Sequence, residues 1–317
     1  MHNKLIFTTL FNSYYLPKGI AMIESLSQHC DDFHLYVFAY DEKSYAYLQK
    51  QNYPNVTVLS LLQLEQHFPQ LLEVKPSRTF AEYCWTTTSF TIKYCLENYD
   101  IDHCTYIDAD LYFFLNPRIL VDEMGDNDIL LTEHRYAPQY EYQSRNSGKY
   151  CVQFLTAKNN ANGRKVIDWW KDACHTWCYN RYEDGKFGDQ KYLDDWTTRF
   201  NGVHVLQNFG GGLAPWNVIQ YDLKQISAVF YHFHYFRCSE ICGLYEYIFG
   251  PYELQAEAIK SFYEPYLKSI SRIHQQLLQD GFKDAEIGYW RIEEPAWRKP
   301  FHILRSIANK SKRIRKY

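Results

Sequence analysis

Strand-like runs and helix-like segments alternate along this chain, and that alternation limits the folds open to it more than any other feature. Short runs rich in β-branched and aromatic residues recur at 5–10, 35–40, 56–61, 104–107, 129–132, 203–206 and 229–236. Segments with helical periodicity lie between several of them, at 18–29, 43–51, 86–99 and 164–177. This pattern predicts an α/β fold with a mostly parallel sheet that helices cover on both faces.

No internal repeat, low-complexity tract or long Gly/Ser/Pro linker divides the 317 residues into separate globular units. We therefore expect one main domain over residues 1–250, a helical extension over 251–295 and a basic, amphipathic, helical tail over 296–317. The polar segment 134–150 has the composition of a loop and is expected to form a mobile flap over a site.

Two aspartates follow the run at 104–107, in the sequence YIDADLYFFLNP. In an extended chain residues i and i+2 face the same side, so Asp108 and Asp110 can direct both carboxylates at one cation. They also fall beyond the carboxyl end of a strand, where open α/β sheets bind ligands. Such oxygen ligands suit Mn²⁺ or Mg²⁺. The alternative is a pair of solvated carboxylates, which the apolar residues 111–114 disfavour because unpaired buried charge is costly.

The segment YIDADLYFFLNP resembles the donor-metal motif of GT-A glycosyltransferases, especially the superfamily of bacterial lipooligosaccharide galactosyltransferases and glycogenin. Three further segments resemble that family in the same order, namely LIFTTLFNSYYLPKGIAMIESL, FGDQKYLDDW and VFYHFHYF. The resemblance implies a GT-A, Rossmann-like fold with a mixed, mostly parallel sheet. It also implies transfer of a sugar from a nucleotide-diphospho-sugar, with UDP as the expected nucleotide.

The resemblance assigns roles to individual residues. Asp189 and Gln190 match the segment near the reacting sugar. The third protein ligand to the metal is a histidine of VFYHFHYF, and both His232 and His234 are open, with a slight preference for His234. The opening strand and loop bind the nucleotide in this family, and the residues expected to contact the donor there are Thr8, Thr9, Asn12 and Tyr15.

The chain departs from the family pattern in three places. Leu10 and Phe11 replace the usual acidic residues after the first strand. Residues 151–154 read CVQF where the family often has Asn and small residues, so Gln153 is the only amide that can take that place. The ending HYxGxxKPW is absent, which leaves the choice between the two histidines open.

Three candidate site residues each have an ordinary structural alternative. Lys93, on the helix before the aspartates, is a candidate phosphate contact or a solvated lysine. Trp216, in GGGLAPWNV, is a candidate sugar contact or a core residue. Asp189 either acts on the reacting sugar or caps the helix that follows. The functional role is favoured for Asp189 because a departing diphosphate leaves an oxocarbenium-like sugar, which a nearby carboxylate or amide stabilises.

The segment 296–317 carries eight Lys or Arg and no Asp or Glu. Since the formal net charge of the chain is −3, the remaining residues carry −11. A basic end on an acidic body argues against nucleic-acid binding. If Pro300 opens a helix, Phe301, Leu304 and Ala308 share one face, and such a segment binds anionic membrane surfaces. A disordered, solubilising end is the alternative.

Cysteine usage and hydropathy indicate an intracellular protein. The nine cysteines form no compact secreted framework, the first residues lack a signal-peptide pattern, and no run of 18 apolar residues occurs. We expect a cytoplasmic protein that is peripheral on the inner face of the cell membrane. The i, i+4 pairs Cys174/Cys178 and Cys238/Cys242 could hold zinc, but structural zinc usually uses closer CxxC pairs.

The expected function is metal-dependent transfer of a sugar to a cell-envelope glycan, such as lipopolysaccharide or capsule, or to a lipid-linked acceptor, with retention or inversion left open. A sugar nucleotidyltransferase or a DxD phosphatase is the enzymatic alternative. The nucleotidyltransferase is disfavoured because no Gly-rich phosphate loop follows the first strand. A phosphatase of this kind usually has its DxD at the end of the N-terminal strand. A glycan-binding protein on the same fold is the alternative without catalysis.

Overall fold

The structure is a computed structural model that describes residues 4–241, 244–292 and 314–315. Its strands are β1 (Leu5–Phe11), β2 (Phe33–Ala39), β3 (Val56–Ser60), β4 (His103–Ile107), β5 (Leu111–Phe113), β6 (Ile129–Glu133), β7 (Tyr150–Lys158), β8 (Val203–Val205), β9 (Phe230–His232), β10 (Arg237–Ile241), β11 (Leu244–Ile248), β12 (Tyr289–Ile292) and β13 (Ile314–Arg315). Its helices are α1 (Leu16–His29), α2 (Glu42–Gln51), α3 (Leu61–His67), α4 (Leu71–Val74), α5 (Phe80–Asn98), α6 (Arg118–Asp122), α7 (Ser144–Ser147), α8 (Ala161–Thr176), α9 (Trp196–Arg199), α10 (Ala256–Ala258) and α11 (Glu264–Gln279).

The main sheet has seven strands in the order β3-β2-β1-β4-β7-β6-β8. The first four in that order are parallel, β7 is antiparallel to both of its neighbours, and β8 is parallel to β6. Buried apolar side chains form one core with α1 and α11 and a second core with α5 and α8. The mixed, mostly parallel sheet flanked by helices confirms the predicted fold class.

The strands and helices that the sequence pattern reveals are those with the strongest local signals. All seven residues of β1 are buried, as expected for a parallel strand covered on both faces, and its sequence is a nearly continuous apolar run. A capping box between Thr79 and Glu82 begins α5. The second carboxylate oxygen of Glu82 accepts a hydrogen bond from the backbone N–H of Asn180 at 2.7 Å. The start of α5 therefore holds the loop that contains Asp189.

The strand β7 is the largest element that the sequence pattern does not reveal. It begins at Tyr150, and eight of its nine residues are buried. The segment expected to be a loop before it contains a 3₁₀ turn at Pro138–Gln143 and the helix α7. Because β7 runs antiparallel to β4, its first residues lie beside the end of β4, and the backbone N–H of Asp108 donates to the carbonyl of Gln153 at 3.1 Å.

A strand is present at Phe230–His232, so the expectation for 229–236 is confirmed only in part. The chain leaves the extended conformation after His232, and Tyr235 has a left-handed φ of 61°. The strand β9 pairs with β5, with Leu111 opposite His232.

A small sheet in the order β12-β10-β11-β13 follows β9. It joins strands on either side of residue 250. Within 251–295 the main helix is α11. The amphipathic helix expected at Phe301 to Ala308 lies outside the described residues. No helix in the described ranges is both long and apolar enough to cross a bilayer.

We expect Phe233→Ala to lower the free energy of unfolding by about 3–5 kcal/mol, because it removes a fully buried ring from the core. The Phe233 ring stacks on that of Tyr266 in α11 with 3.7 Å between centroids. Urea denaturation measures the change. Leu62→Ala is the control, since Leu62 is 61% exposed and should shift stability by no more than about 0.5 kcal/mol. A Phe233 effect as small as the control's would mean that α11 is not part of the cooperative core.

Candidate active site

A cavity of about 590 Å³ opens beyond the carboxyl ends of β1 and β4. The start of α1, the loop that contains Asp189, the turn between β9 and β10, and the start of β12 all contribute to its walls. Charged, histidine and aromatic side chains line it together with apolar ones. The cavity is therefore a mixed polar and aromatic site at the sheet edge where the sequence predicted one.

Asp108, Asp110 and His232 form a group of three possible metal ligands in this cavity, with one ligand atom of each within 4.8 Å of the others. The Nε2 atom of His232 lies 3.1 Å from an oxygen of Asp110 and 3.8 Å from an oxygen of Asp108. Two carboxylates and one imidazole suit Mn²⁺ or Mg²⁺, with positions left for ligand oxygens. No other group of this kind occurs in residues 4–241, 244–292 and 314–315.

The backbone brings His232 to the aspartates. The pairing of β5 with β9 sets Leu111 opposite His232, and the N–H of Phe233 donates to the carbonyl of Asp110 at 3.0 Å. On the other side of the ring, Nδ1 of His232 lies 2.7 Å from Oε1 of Gln153. Because an amide oxygen only accepts hydrogen bonds, Nδ1 carries the proton and the lone pair of Nε2 can face a cation in neutral imidazole. Gln153 therefore holds the His232 ring in one orientation, as the outer hydrogen-bond partner of a metal-binding histidine does.

The electrostatics of the group follow from its burial. Burial raises the pKa of Asp108 to about 6, with His232 opposing and Asp110 adding to the rise. Burial also acts to raise the pKa of Asp110, but the charge and hydrogen bond of His232 outweigh it and hold that pKa below its usual range. Asp110 in turn keeps the pKa of His232 well above its ordinary value against the effect of burial. A cation that binds here must displace the second proton of His232.

Asp189 also lines the cavity, 6% exposed. Asp189 occupies the N-cap position of the 3₁₀ turn Gln190–Asp195, but its side chain makes no capping hydrogen bond to that turn. Its backbone carbonyl accepts a hydrogen bond from Nε1 of Trp170 at 2.9 Å, which fixes the loop. Burial, helped by the negative charge of Asp108, raises the pKa of Asp189 to about 7. A carboxyl kept in such a place at a cost in stability is typical of a functional residue.

Gln190 lies next to Asp189 in the cavity wall, and its Nε2 donates to the carbonyl of Ser147 at 2.7 Å. Asn12, Tyr15 and Trp216 also line the cavity. Trp216 is buried, and its Nε1 donates to the carbonyl of His134 at 2.8 Å, so it is anchored from behind.

Other predicted site residues lie elsewhere. Thr8 and Thr9 are fully buried inside the sheet and do not line the cavity. Lys93 pairs with Asp168 of α8 at 2.8 Å and with Glu97 at 3.2 Å, because its position on α5 faces α8, and it does not line the cavity either. The suggested phosphate contact by Lys93 is thus not seen.

The structure brings His232, and not the slightly preferred His234, into the group with the aspartates. His234 still lines the cavity, with its ring centroid 5.6 Å from that of His232. Beyond the strand the chain turns, so the two histidines do not occupy equivalent positions on one strand face. Burial lowers the pKa of His234 to about 3, so this ring is neutral.

Sequence reasoning missed several cavity residues, among them Lys18, His134, Arg237 and Trp290. Lys18 lies in the first turn of α1, directly after the loop assigned to the nucleotide, and that position is the signal that could have indicated it. Arg237 directly follows VFYHFHYF, and His134 opens the segment expected to cover the site, whereas Trp290 is adjacent to the site only through the tertiary fold.

Cys174 and Cys178 do not lie in the same core as Cys238. Cys174 and Cys178 belong to the core beneath α5 and α8, whereas Cys238 belongs to the core with α1 and α11. Cys242 lies outside the described residues.

Two curated Bacillus subtilis (strain 168) proteins are similar to this chain in sequence. The uncharacterized protein YfnD is 31% identical over 301 residues, which cover 89% of this chain and 94% of YfnD. The uncharacterized protein YfnF is 28% identical over 252 residues, which cover 74% of this chain and 82% of YfnF. No family model matches the chain.

Solved structures with the same fold are glycosyltransferases. The galactosyltransferase LgtC, in complex with donor and acceptor sugar analogs, superposes with a TM-score of 0.52 at 14% identity, covering 84% of this chain and 96% of LgtC. The glycosyltransferase GlyE of Streptococcus pneumoniae TIGR4 superposes with a TM-score of 0.51 at 12% identity, covering 88% of this chain and 64% of GlyE. At such low identity the likeness establishes the fold, which is GT-A.

We expect Gln153→Leu to weaken Mn²⁺ binding by about 10–100-fold, because His232 loses the hydrogen bond that fixes its ring and its tautomer. Gln153→Glu should keep most of the affinity, since a carboxylate accepts the same hydrogen bond. Isothermal titration calorimetry with Mn²⁺ measures both, with circular dichroism as the check on folding. Equal affinity in Gln153→Leu and the unchanged protein would contradict the orienting role.

Proposed function

We propose, from the premise that this chain belongs to the protein family of Bacillus subtilis YfnD and has the GT-A fold, that it is a metal-dependent glycosyltransferase. Its donor is a nucleotide-diphospho-sugar with UDP as the nucleotide, and its product is a glycosidic bond to an acceptor hydroxyl. The observation that carries the proposal is the group of Asp108, Asp110 and His232 in a cavity at the carboxyl end of the sheet. No specific observation favours the alternatives, which are a sugar nucleotidyltransferase, a DxD phosphatase and a glycan-binding protein without catalysis.

Asp108, Asp110 and His232 would hold the Mn²⁺ or Mg²⁺ ion. A divalent cation supplies Lewis-acid stabilisation of the charge that develops on a leaving diphosphate. The chain provides what this requires. The two carboxylates lie side by side, and Gln153 holds the imidazole in one orientation. The donor set fits the ion because hard oxygen ligands dominate it.

Asp189 and Gln190 act on the reacting sugar in this proposal. A carboxylate near the anomeric carbon offsets the positive charge that the ring gains as the bond to the diphosphate breaks. The burial of Asp189 supports this role, since a carboxylate acts more strongly where water is excluded. Asn12 and Tyr15 would contact the nucleotide, and Trp216 would pack against a sugar.

The proposed acceptor is a cell-envelope glycan or a lipid-linked glycan. The basic segment 296–317 supports an enzyme that works at the inner surface of the membrane, because its Lys and Arg residues attract anionic lipid. A peripheral, cytoplasmic enzyme would meet nucleotide sugars and membrane-anchored acceptors at the same surface.

We expect Asp108→Asn or Asp110→Asn to lower turnover by about 100-fold or more, the scale on which a single electrostatic stabiliser contributes. The measurement is slow hydrolysis of UDP-sugars without an acceptor, followed as release of UDP in the presence of Mn²⁺. A panel of nucleotide sugars in thermal-shift assays with and without Mn²⁺ selects the donor beforehand.

Lys93→Met is the matched control, because it changes a charged residue outside the cavity and should leave hydrolysis unchanged. Removal of metal with EDTA should lower the turnover of the unchanged protein as much as the aspartate substitutions do. Full activity in EDTA-treated protein without added metal would refute the metal-dependent mechanism. Release of UMP or of inorganic pyrophosphate in place of UDP would indicate a different reaction class.

We expect Asp189→Asn to lose hydrolysis, to keep its affinity for UDP, and to be more stable than the unchanged protein at pH 8. The carboxyl of Asp189 has a pKa of about 7 against an ordinary 3.8, so its ionisation opposes folding as the pH rises between those values. The stability of the unchanged protein therefore falls by roughly 1.4 kcal/mol per pH unit in that window, and the asparagine avoids the loss.

Urea denaturation of metal-free protein at pH 5 and pH 8 measures this difference, and the exposed Asp126→Asn serves as control. The gain in stability of Asp189→Asn over the unchanged protein should be larger at pH 8 than at pH 5. If the two gains are equal and hydrolysis is retained, the carboxyl of Asp189 has no raised pKa and no role in the reaction.

A further inference from the structure

The cavity contains a lysine, Lys18, to which the proposed mechanism assigns no role. Lys18 and Arg237 are the only Lys or Arg side chains among the described residues that line it. The side chain of Lys18 is 15% exposed, and that of Asp110 beside it is 12% exposed. Burying an ammonium group is costly unless it is paired and hydrogen-bonded.

Lys18 is paired only loosely. Its Nζ atom lies 3.9 Å from an oxygen of Asp110, which is beyond hydrogen-bonding distance, and 4.4 Å from the centroid of the Tyr15 ring. Within the described ranges no side chain or carbonyl accepts a hydrogen bond from this Nζ. An ammonium has three N–H donors, so Lys18 holds unused donors beside the metal group.

The position of Lys18 is set by α1. The 3₁₀ turn Ser13–Tyr15 leads into this helix, which begins at Leu16 and has Pro17 in its first turn. Lys18 therefore projects from the first turn of a 14-residue helix, at its N-terminal end. The positive end of the helix dipole and the lysine ammonium both favour an anion there.

The balance of charges in the cavity indicates which anion Lys18 would bind. The ionised Asp108 and Asp110 are neutralised by a single divalent cation, which leaves nothing to offset a diphosphate bound to that cation. Lys18 and Arg237 supply that positive charge, from α1 and from the start of β10. Enclosure makes such compensation necessary, because an unpaired charge is expensive where water is excluded.

We infer that Lys18 binds the diphosphate of the donor and, through its contact with Asp110, couples donor binding to metal binding. In the absence of a diphosphate, Lys18 competes with the metal for Asp110. When a diphosphate is bound, the ammonium donates to its oxygens and the competition ends. This inference rests on the proposed function, since it concerns the donor of the same site.

The test measures two affinities by isothermal titration calorimetry on the full chain, for Mn²⁺ alone and for inorganic pyrophosphate in the presence of saturating Mn²⁺. Pyrophosphate is the probe because it is the part common to all nucleoside diphosphates, whatever the base. Lys18→Met should bind pyrophosphate at least about tenfold more weakly, because a charge-assisted hydrogen bond is lost. It should bind Mn²⁺ alone at least about threefold more tightly, because the substitution removes a positive charge that repels the cation beside Asp110.

Lys18→Arg keeps the charge and should bind both probes within about threefold of the unchanged protein. Lys224→Met, at an exposed lysine outside the cavity, is the matched control and should change neither affinity. The affinity of Lys18→Met for UDP should fall by the same factor as its affinity for pyrophosphate, whereas its affinity for uridine should not change. Opposite shifts for the two probes are the signature of the inferred role.

Two results would overturn the inference while leaving the proposed function in place. One is unchanged pyrophosphate affinity in Lys18→Met. The other is a parallel loss of Mn²⁺ and pyrophosphate affinity, which a merely structural lysine would produce. If the unchanged protein itself bound neither Mn²⁺ nor pyrophosphate, the proposed function would fail together with the inference.

Discussion

Two aspartates held side by side in an enclosed cavity repel each other, and much of the surrounding structure can be understood as the response to that constraint. On one side, the positive charge of His232 and its hydrogen bond to Asp110 offset the repulsion between the two carboxylates. Lys18 adds a second positive charge at longer distance. Without a cation, the raised pKa of His232 lets a second proton on its ring offset the charge of the aspartates, which makes the group suited to exchanging a proton for a metal ion.

The constraint also explains why so many chain segments converge here. Asp108 and Asp110 follow β4, His232 ends β9, and Gln153 comes from β7, which lies between β4 and β6 in the sheet. The segment after β4 contributes two carboxylates, whereas β9 and β7 contribute one polar group each, and His232 contacts groups from both of the other segments. The precision of the site therefore comes from the sheet and not from any one loop.

The sequence predicts those parts of the fold and site that depend on local pattern. The parallel strands appear as apolar runs, and Asp108 and Asp110 follow one of them, so both could be found without a structure. The strand β7 could not, because YCVQFLTAK is buried on both faces and shows no alternation. It follows a polar stretch that reads as a loop, so the antiparallel strand in the middle of the sheet was missed.

The site residues show the same division. Lys93 was a reasonable phosphate contact from its place in the sequence, but only the packing of α5 against α8 decides where that side chain faces. The sequence leaves His232 and His234 open because period-2 alternation places both on one strand face and does not reveal where a strand ends; the turn at Tyr235 is a tertiary feature. For Lys18 the local signal is only its place in the first turn of the helix that follows the nucleotide loop, and the burial of its side chain depends on the tertiary fold.

The cavity is built from both the early and the late parts of the chain, and this has a consequence for biosynthesis. Trp290 at the start of β12 donates a hydrogen bond to the hydroxyl of Tyr14, and Gly288 lies against the backbone of Tyr14. A ribosome releases the N-terminal side of this contact long before the C-terminal side, so the parallel strands can fold while the pocket is still open. The wall closes only after residue 290 has emerged, so the cavity is completed later than the parallel strands that carry its aspartates.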